Sequence, residues 1–105
     1  MTITSVPVEV LWTSPEEGGR KTIPQGNRYV TVSRFEEDRE TWQKEAWSIV
    51  LEFPTSPEIQ GNPARGQASF LSATAPQDRL RPGCIFELFE GPRKVATVKV
   101  LSSPR

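Results

Sequence analysis

Charged residues beside glycine-containing turns are the groups in this sequence best placed to bind a ligand. Arg20, Arg28 and Arg93 each flank such a turn. An exposed guanidinium there can bind a phosphate through two parallel hydrogen bonds. The same groups can instead cap backbone carbonyls or pair with the carboxylates of Glu16, Glu17 and Glu90. The three arginines are therefore candidate binding residues, with a structural role as the open alternative.

The residue types that most catalytic sites need are missing from the sequence. The 105 residues include no His and a single Cys. This removes the commonest general base, the Ser–His and Cys–His nucleophile pairs, and a thiolate zinc site. Neither the phosphate-loop motif G-x-x-x-x-G-K-[ST] nor G-x-G-x-x-G occurs. We therefore expect that this chain is not an enzyme, holds no metal or cofactor, and does not bind GTP by itself.

Other reactive side chains in the sequence have simpler structural interpretations. The acidic run at residues 36–38 lies among basic residues and predicts a solvated turn. Trp12 and Trp47 fall on periodic strand faces, which predicts core packing rather than stacking on bases. Trp42 lies in a polar stretch, so it is the tryptophan that we would expect to be exposed for a partner. Cys84 is interpreted as a small buried hydrophobic residue.

Charge and composition favour neither nucleic acid nor a membrane as the partner. Thirteen basic and thirteen acidic residues give a formal net charge of zero, so no strong attraction to polyanions is expected. One cysteine excludes an internal disulfide and fits a reducing compartment. No apolar run approaches the roughly 18 residues of a spanning helix, and the first residues show no signal pattern. We therefore expect a cytoplasmic protein with no membrane partner.

Short alternating segments predict an all-β fold in a single domain over residues 1–105. Ten Pro and seven Gly divide the chain into short pieces, which favours turns over long helices. Alternation of apolar and polar residues indicates half-buried strands. The predicted strands are residues 6–12, 28–35, 47–53, 67–73, 85–90 and 95–101.

Six such strands suit a small closed antiparallel barrel, because closure removes exposed sheet edges. The proline- and glycine-rich residues 54–66 and 75–83 are interpreted as loops. Residues 36–45 are ambiguous. Ser33 followed by Glu36 matches a capping box, so a short helix is the alternative to a turn there.

Two fragments at the ends of the chain, residues 16–22 and 86–95, resemble the third, C-terminal β-barrel domain of elongation factor Tu. The first reads E-E-G-G-R-K-T, with Lys21 where the family has His. Gly26 and Arg28 are similar to the family's following Gly-Tyr-Arg. The second fragment reads F-E-L-F-E-G-P-R-K-V and is similar to the family's hairpin F-A-I-R-E-G-G-R-T-V.

The resemblance covers residues 6–101 and implies a barrel that, in the family, packs on other domains and binds the T-stem of aminoacyl-tRNA. Glu90 matches a family glutamate in the turn that recognises this stem, and Arg28 matches an arginine in the neighbouring strand. The sequence departs from the family at Val30, where the family has Gln, and at Pro92, where it has Gly. The family's Arg-Thr-Thr-Asp-Val-Thr segment has no counterpart.

Two functional hypotheses follow from these observations. The first is a non-catalytic β-barrel binding module that contacts a protein partner through Arg20, Arg28, Glu90 and Arg93. The alternative is a translation-related module that binds tRNA or another RNA, as the resemblance implies, with an affinity that falls steeply with salt. An enzyme that uses only carboxylates and arginines is the least favoured hypothesis, because no carboxylate pair stands out from the solvated ones.

Overall fold

Six antiparallel strands close into a barrel in the computed structural model, which describes residues 3–36 and 46–101. The strand order around the barrel is β1-β4-β3-β2-β5-β6. The strands are β1 Val6–Trp12, β2 Arg28–Arg34, β3 Trp47–Glu52, β4 Ala64–Phe70, β5 Ile85–Glu90 and β6 Arg93–Val100. The connections include a one-turn helix, α1 (Pro57–Gln60), and two 3-10 turns, Pro15–Glu17 and Gln77–Arg79.

Closure depends on pairings between strands that are distant in sequence. β1 pairs with both β4 and β6, so Val10 lies opposite Ala64 on one side and Val98 on the other. β2 pairs with β3 and with β5. Every strand therefore has two hydrogen-bonded neighbours, although β2 and β5 pair through only three residue pairs. Closure leaves little sheet edge that could recruit another chain.

The barrel interior is filled by the inward-facing residues of the alternating strands. The aromatic part of the core centres on Phe35, whose ring stacks 4.5 Å from that of Phe86 and lies 5.6 Å from that of Phe70. All three rings are buried. The completely buried aliphatic positions include Val6, Val8, Val10, Ile49, Leu51, Leu88, Val98 and Val100.

The predicted fold class is confirmed, and the bounds of β1 and β5 agree with the alternation. The prediction for β4 was wrong, because this strand runs from Ala64 to Phe70 rather than over residues 67–73. Gly66 and the prolines suggested a loop up to residue 66, but Gly66 is a buried strand residue. The predicted loop also contains α1. β6 begins at Arg93, directly after the Gly91-Pro92 turn.

The remaining sequence predictions for the middle of the chain are the helix or turn at residues 36–45 and the exposure of Trp42. Apart from residue 36, both lie outside the described residues. Within the described part of the chain, no helix has the length and apolar character needed to cross a membrane.

Gly66 is required by a close approach of two strands rather than by turn geometry. A Cβ atom at this position would lie 2.4 Å from the carbonyl oxygen of Glu52 and 2.8 Å from the ring of Phe53. We expect Gly66→Ala to lower the free energy of unfolding by about 1–3 kcal/mol, because the backbone of β3 must shift. Ser69→Ala, at a half-buried position of the same strand, should change it by less than about 0.5 kcal/mol.

Urea unfolding followed by tryptophan fluorescence measures both variants of β4. Equal free energies of unfolding for Gly66→Ala and the wild-type chain would contradict the close approach of β3 and β4 at Gly66.

Candidate functional site

Two of the four predicted binding residues belong to a hydrogen-bonded group at one end of the barrel. We call this group, Arg20, Tyr29 and Glu90, the rim cluster. Tyr29 lies on β2, Glu90 ends β5, and Arg20 belongs to the loop that joins β1 to β2. The Tyr29 hydroxyl donates to Oε2 of Glu90. Nη1 of Arg20 donates to the same oxygen at 2.5 Å. The rim cluster thus ties three separate segments together.

Further contacts fix the guanidinium of Arg20 in place. Its Nε donates to the carbonyl oxygen of Thr22 at 3.0 Å, and its Cζ lies 5.8 Å from the centre of the Tyr29 ring. The Tyr29 ring in turn meets Trp12 edge to face, with ring centres 5.8 Å apart. The rim cluster therefore rests directly on the barrel core and holds the β1–β2 loop against it.

The electrostatics of the rim cluster are those of a stable ion pair. Burial opposes ionisation of Glu90, but the hydrogen bonds from Tyr29 and Arg20 outweigh it and lower the pKa of this carboxyl. Burial, followed by the hydrogen bond to Glu90, raises the pKa of Tyr29. Burial alone would lower the pKa of Arg20, but the hydrogen bond and the charge of Glu90 raise it. Near neutral pH, Glu90 is therefore an anion held by a cation and a neutral phenol.

The other two predicted binding residues occupy different places on the barrel. Arg93 begins β6 directly opposite Glu90, is exposed, and its positive charge contributes to the lowered pKa of Glu90. Arg28 begins β2, is also exposed, and lies opposite Glu52 of β3. The structure thus joins Arg20 to Glu90 directly, and Arg93 of β6 is paired in register with Glu90 of β5. Arg28 precedes Tyr29 in β2 and is paired in register with Glu52 of β3.

A second charged cluster, which the sequence did not predict, lies on the outside of the barrel. Arg34 of β2 pairs with Glu87 of β5, and its Nε lies 2.9 Å from Oε1. Nζ of Lys94 lies 3.0 Å from the other carboxylate oxygen. The Arg34 guanidinium also stands 4.9 Å from the centre of the Phe89 ring. Burial opposes ionisation of Glu87, but the hydrogen bonds from Lys94 and Arg34 lower the pKa of this carboxyl.

Beside this second cluster lies a cleft of about 320 Å³, lined in part by Arg34, Ile85, Glu87 and Thr97. The outward positions of the predicted strands were the signal that could have pointed to these side chains. Alternation alone did not place β2 beside β5, so the convergence of Arg34 and Glu87 could not be read from the sequence.

Two large apolar side chains are exposed on the strands around this cleft. Leu11 of β1 is 55% exposed and Ile85 of β5 is 57% exposed. Ile85 lines the cleft, and Leu11 lies opposite Thr97 of β6, which also lines it. Ile85 lies opposite Lys99 of β6. We call the surface formed by Leu11, Ile85, Thr97 and Lys99 the outer face.

The described part of the chain holds no cluster of metal ligands and no carboxyl with a raised pKa. Among residues 3–36 and 46–101, no group of three His, Cys, Asp or Glu side chains is placed to hold a metal ion. The two carboxyls whose pKa values are shifted, those of Glu87 and Glu90, are shifted downwards. Neither the family models nor the curated proteins searched give a match to this chain.

The lowered pKa of Glu90 predicts a pH-dependent contribution to stability. A carboxyl whose pKa falls on folding stabilises the fold above its unfolded value, near 4.5. This contribution is lost as the pH falls through the folded value. We expect Glu90→Gln to lower the free energy of unfolding by about 1–2 kcal/mol at pH 7. The difference from the wild-type chain should shrink between about pH 5 and pH 3.

Glu9→Gln is the matched control for the rim cluster. Glu9 pairs with Arg65 at 3.4 Å, but the Arg65 side chain is 71% exposed, so the loss should stay below about 0.5 kcal/mol. Urea unfolding across the pH range measures both variants. A Glu90→Gln deficit that is the same at pH 7 and at the acid end would contradict an ionised, paired Glu90.

Proposed function

We propose that this chain is a non-catalytic β-barrel binding module whose partner is a protein. The chemistry of its carboxyls supports a binding role. A general acid near neutral pH needs a raised pKa, whereas Glu87 and Glu90 each lie against cations and have lowered pKa values. Both carboxylates are therefore positioned as anions in ion pairs rather than as proton donors.

The pairing of basic residues favours a protein over RNA as the partner. Arg20 is bound to Glu90, and both Arg34 and Lys94 are bound to Glu87. Phosphate recognition uses cations that can exchange their counterions for the nucleic-acid backbone. A cation whose neighbour is a carboxylate already has its counterion, and the carboxylate repels a phosphate. RNA binding is accordingly the less supported alternative.

The outer face is the observation that carries the proposal. Leu11 and Ile85 each expose more than half of their side chains, and a cleft of about 320 Å³ opens beside Ile85. The buried core of a protein–protein interface is more apolar than its rim, which is polar and accessible to solvent. Thr97 and Lys99 supply polar groups between the two apolar side chains.

The resemblance to the third domain of elongation factor Tu is compatible with this proposal, since the barrel there is also a docking module. Glu90 and Arg28, the two positions that match the family's tRNA contacts, differ here in whether another side chain among the described residues binds them. Glu90 is held by Tyr29 and Arg20, whereas Arg28 is exposed at the start of β2. We also propose a translation-related role, which the resemblance supports. The cytoplasmic location that we propose is supported by the single cysteine.

Capture of the partner by immobilised protein tests the outer face. The wild-type chain should retain one protein from native lysate at a stoichiometric level. The double variant Leu11→Asp, Ile85→Asp should retain at least about 10-fold less, because it places two charges in an apolar contact. The matched control is Leu71→Asp with Ile59→Asp, at apolar side chains that are 53% and 75% exposed elsewhere. It should behave as the wild type does.

Two further arms complete the capture experiment. Arg28→Glu with Arg93→Glu measures what the predicted rim arginines contribute to the same complex. Titration with tRNA at about 50 mM salt tests the alternative, because phosphate contacts are strongest at low salt. Retention of no stoichiometric protein by the wild-type chain, or saturable tRNA binding that weakens steeply with salt, would contradict the proposal.

A further inference from the structure

The indole nitrogen of Trp12 is a buried donor with no acceptor among the described residues. Trp12 is only 6% exposed, and no group in residues 3–36 or 46–101 accepts a hydrogen bond from its Nε1. Its ring neighbours are aromatic, with Tyr29 at 5.8 Å and Phe53 at 6.4 Å between ring centres. Leaving such a group unpaired is unfavourable, and buried polar groups in folded proteins are nearly always bonded. The donor therefore points to an acceptor that the barrel itself does not supply.

A cavity of about 180 Å³ opens beside this indole. For comparison, an engineered apolar cavity of about 150 Å³ in another protein binds benzene, so this one has room for one medium-sized side chain. Its walls come from the end of β1, the loop before β2, the start of β6 and the turn before β4. The lining residues that bear on a ligand are Trp12, Arg20, Lys21, Ile23 and Val95.

The lining combines an apolar wall with two cations and contains no carboxylate. Ile23 and Val95 provide aliphatic surface beside the indole, whereas Arg20 and Lys21 bring positive charge. Arg20 already has Glu90 as its counterion, so the charge available to a ligand is that of Lys21, which is exposed. An exposed cation beside an apolar cavity suits an anion that is attached to an apolar group.

The geometry points to a site for the C-terminal residue of a protein partner, with an apolar side chain and a free carboxylate. The side chain fills the cavity next to Trp12, Ile23 and Val95. The carboxylate lies towards Lys21, and the indole N–H donates to an oxygen of the same residue. This assignment rests on the proposed protein-binding function and names the chemical group that the barrel end recognises.

An acetylated hexapeptide of Gly and Ser that ends in leucine is the probe, and its C-terminal amide is the matched control. The three indole N–H signals of the ¹⁵N-labelled chain are resolved by NMR. Trp12→Phe identifies the signal of Trp12, or through-bond assignment does so if that variant does not fold. The acid should shift this signal and saturate with a Kd of about 1 mM, a value typical of a small contact. The amide should bind at least about 10-fold more weakly, because it lacks the charge.

Exposed basic residues provide the second comparison. Lys21→Gln should weaken binding of the acid about 3- to 10-fold, whereas Arg81→Gln, in the loop before β5 and away from the cavity lining, should leave it unchanged. An unshifted Trp12 signal, or equal binding of acid and amide, would overturn the assignment. Binding of free N-acetyl-leucine but not of the hexapeptide would overturn it as well, since the ligand would then not be a protein terminus. Each of these failures can occur while the outer face still captures a partner, so it would not remove the proposed function.

Discussion

Pairing of β2 with β5 is the constraint on which the rest of this molecule depends. It joins strands that are separated by β3 and β4 in sequence, through only three registered pairs from Val32–Phe89 to Arg34–Glu87. With the β1–β6 pairing, it closes the barrel and removes both sheet edges. The same pairing brings Tyr29 within hydrogen-bond reach of Glu90, 61 residues away. Loss of the β2–β5 pairing would therefore remove the barrel and both charged clusters together.

Both charged clusters stabilise the β2–β5 pairing. The rim cluster does so at the end of the barrel, and the cluster of Arg34, Glu87 and Lys94 does so on its outside. Glu90 receives bonds from Tyr29 and Arg20, and Glu87 is held by Arg34 from one neighbouring strand and Lys94 from the other. Because these side chains are only partly exposed, their pairing is less screened by water than that of a surface pair. Charges used in this way hold the fold, so recognition is left to the outer face and to the cavity beside Trp12.

Sequence patterns predicted the elements of this fold better than the contacts between them. Alternation identified β1 to the residue because this strand buries one face only. The bounds of β5 also agreed, although Phe89 is buried beside Leu88 where the pairing with β6 is irregular. The start of β4 was missed, since a glycine that permits close packing of strands looks the same in sequence as a glycine in a loop. Arg20 and Glu90 were singled out by their turns, but their mutual bond was only one of several alternatives. The role of Tyr29 depends on which strands pair, and periodicity contains no information about that.

A double-mutant cycle between Arg20 and Glu90 tests most directly that the rim cluster serves the fold. Arg20→Met, Glu90→Gln and the combined variant are unfolded in urea at pH 7, and the coupling free energy is taken from the cycle. A bond between partly buried charges, shared with Tyr29, predicts a coupling of about 1 kcal/mol or more. A coupling below about 0.3 kcal/mol, with both single variants as stable as the wild-type chain, would contradict it. The two charges would then be free for a partner instead.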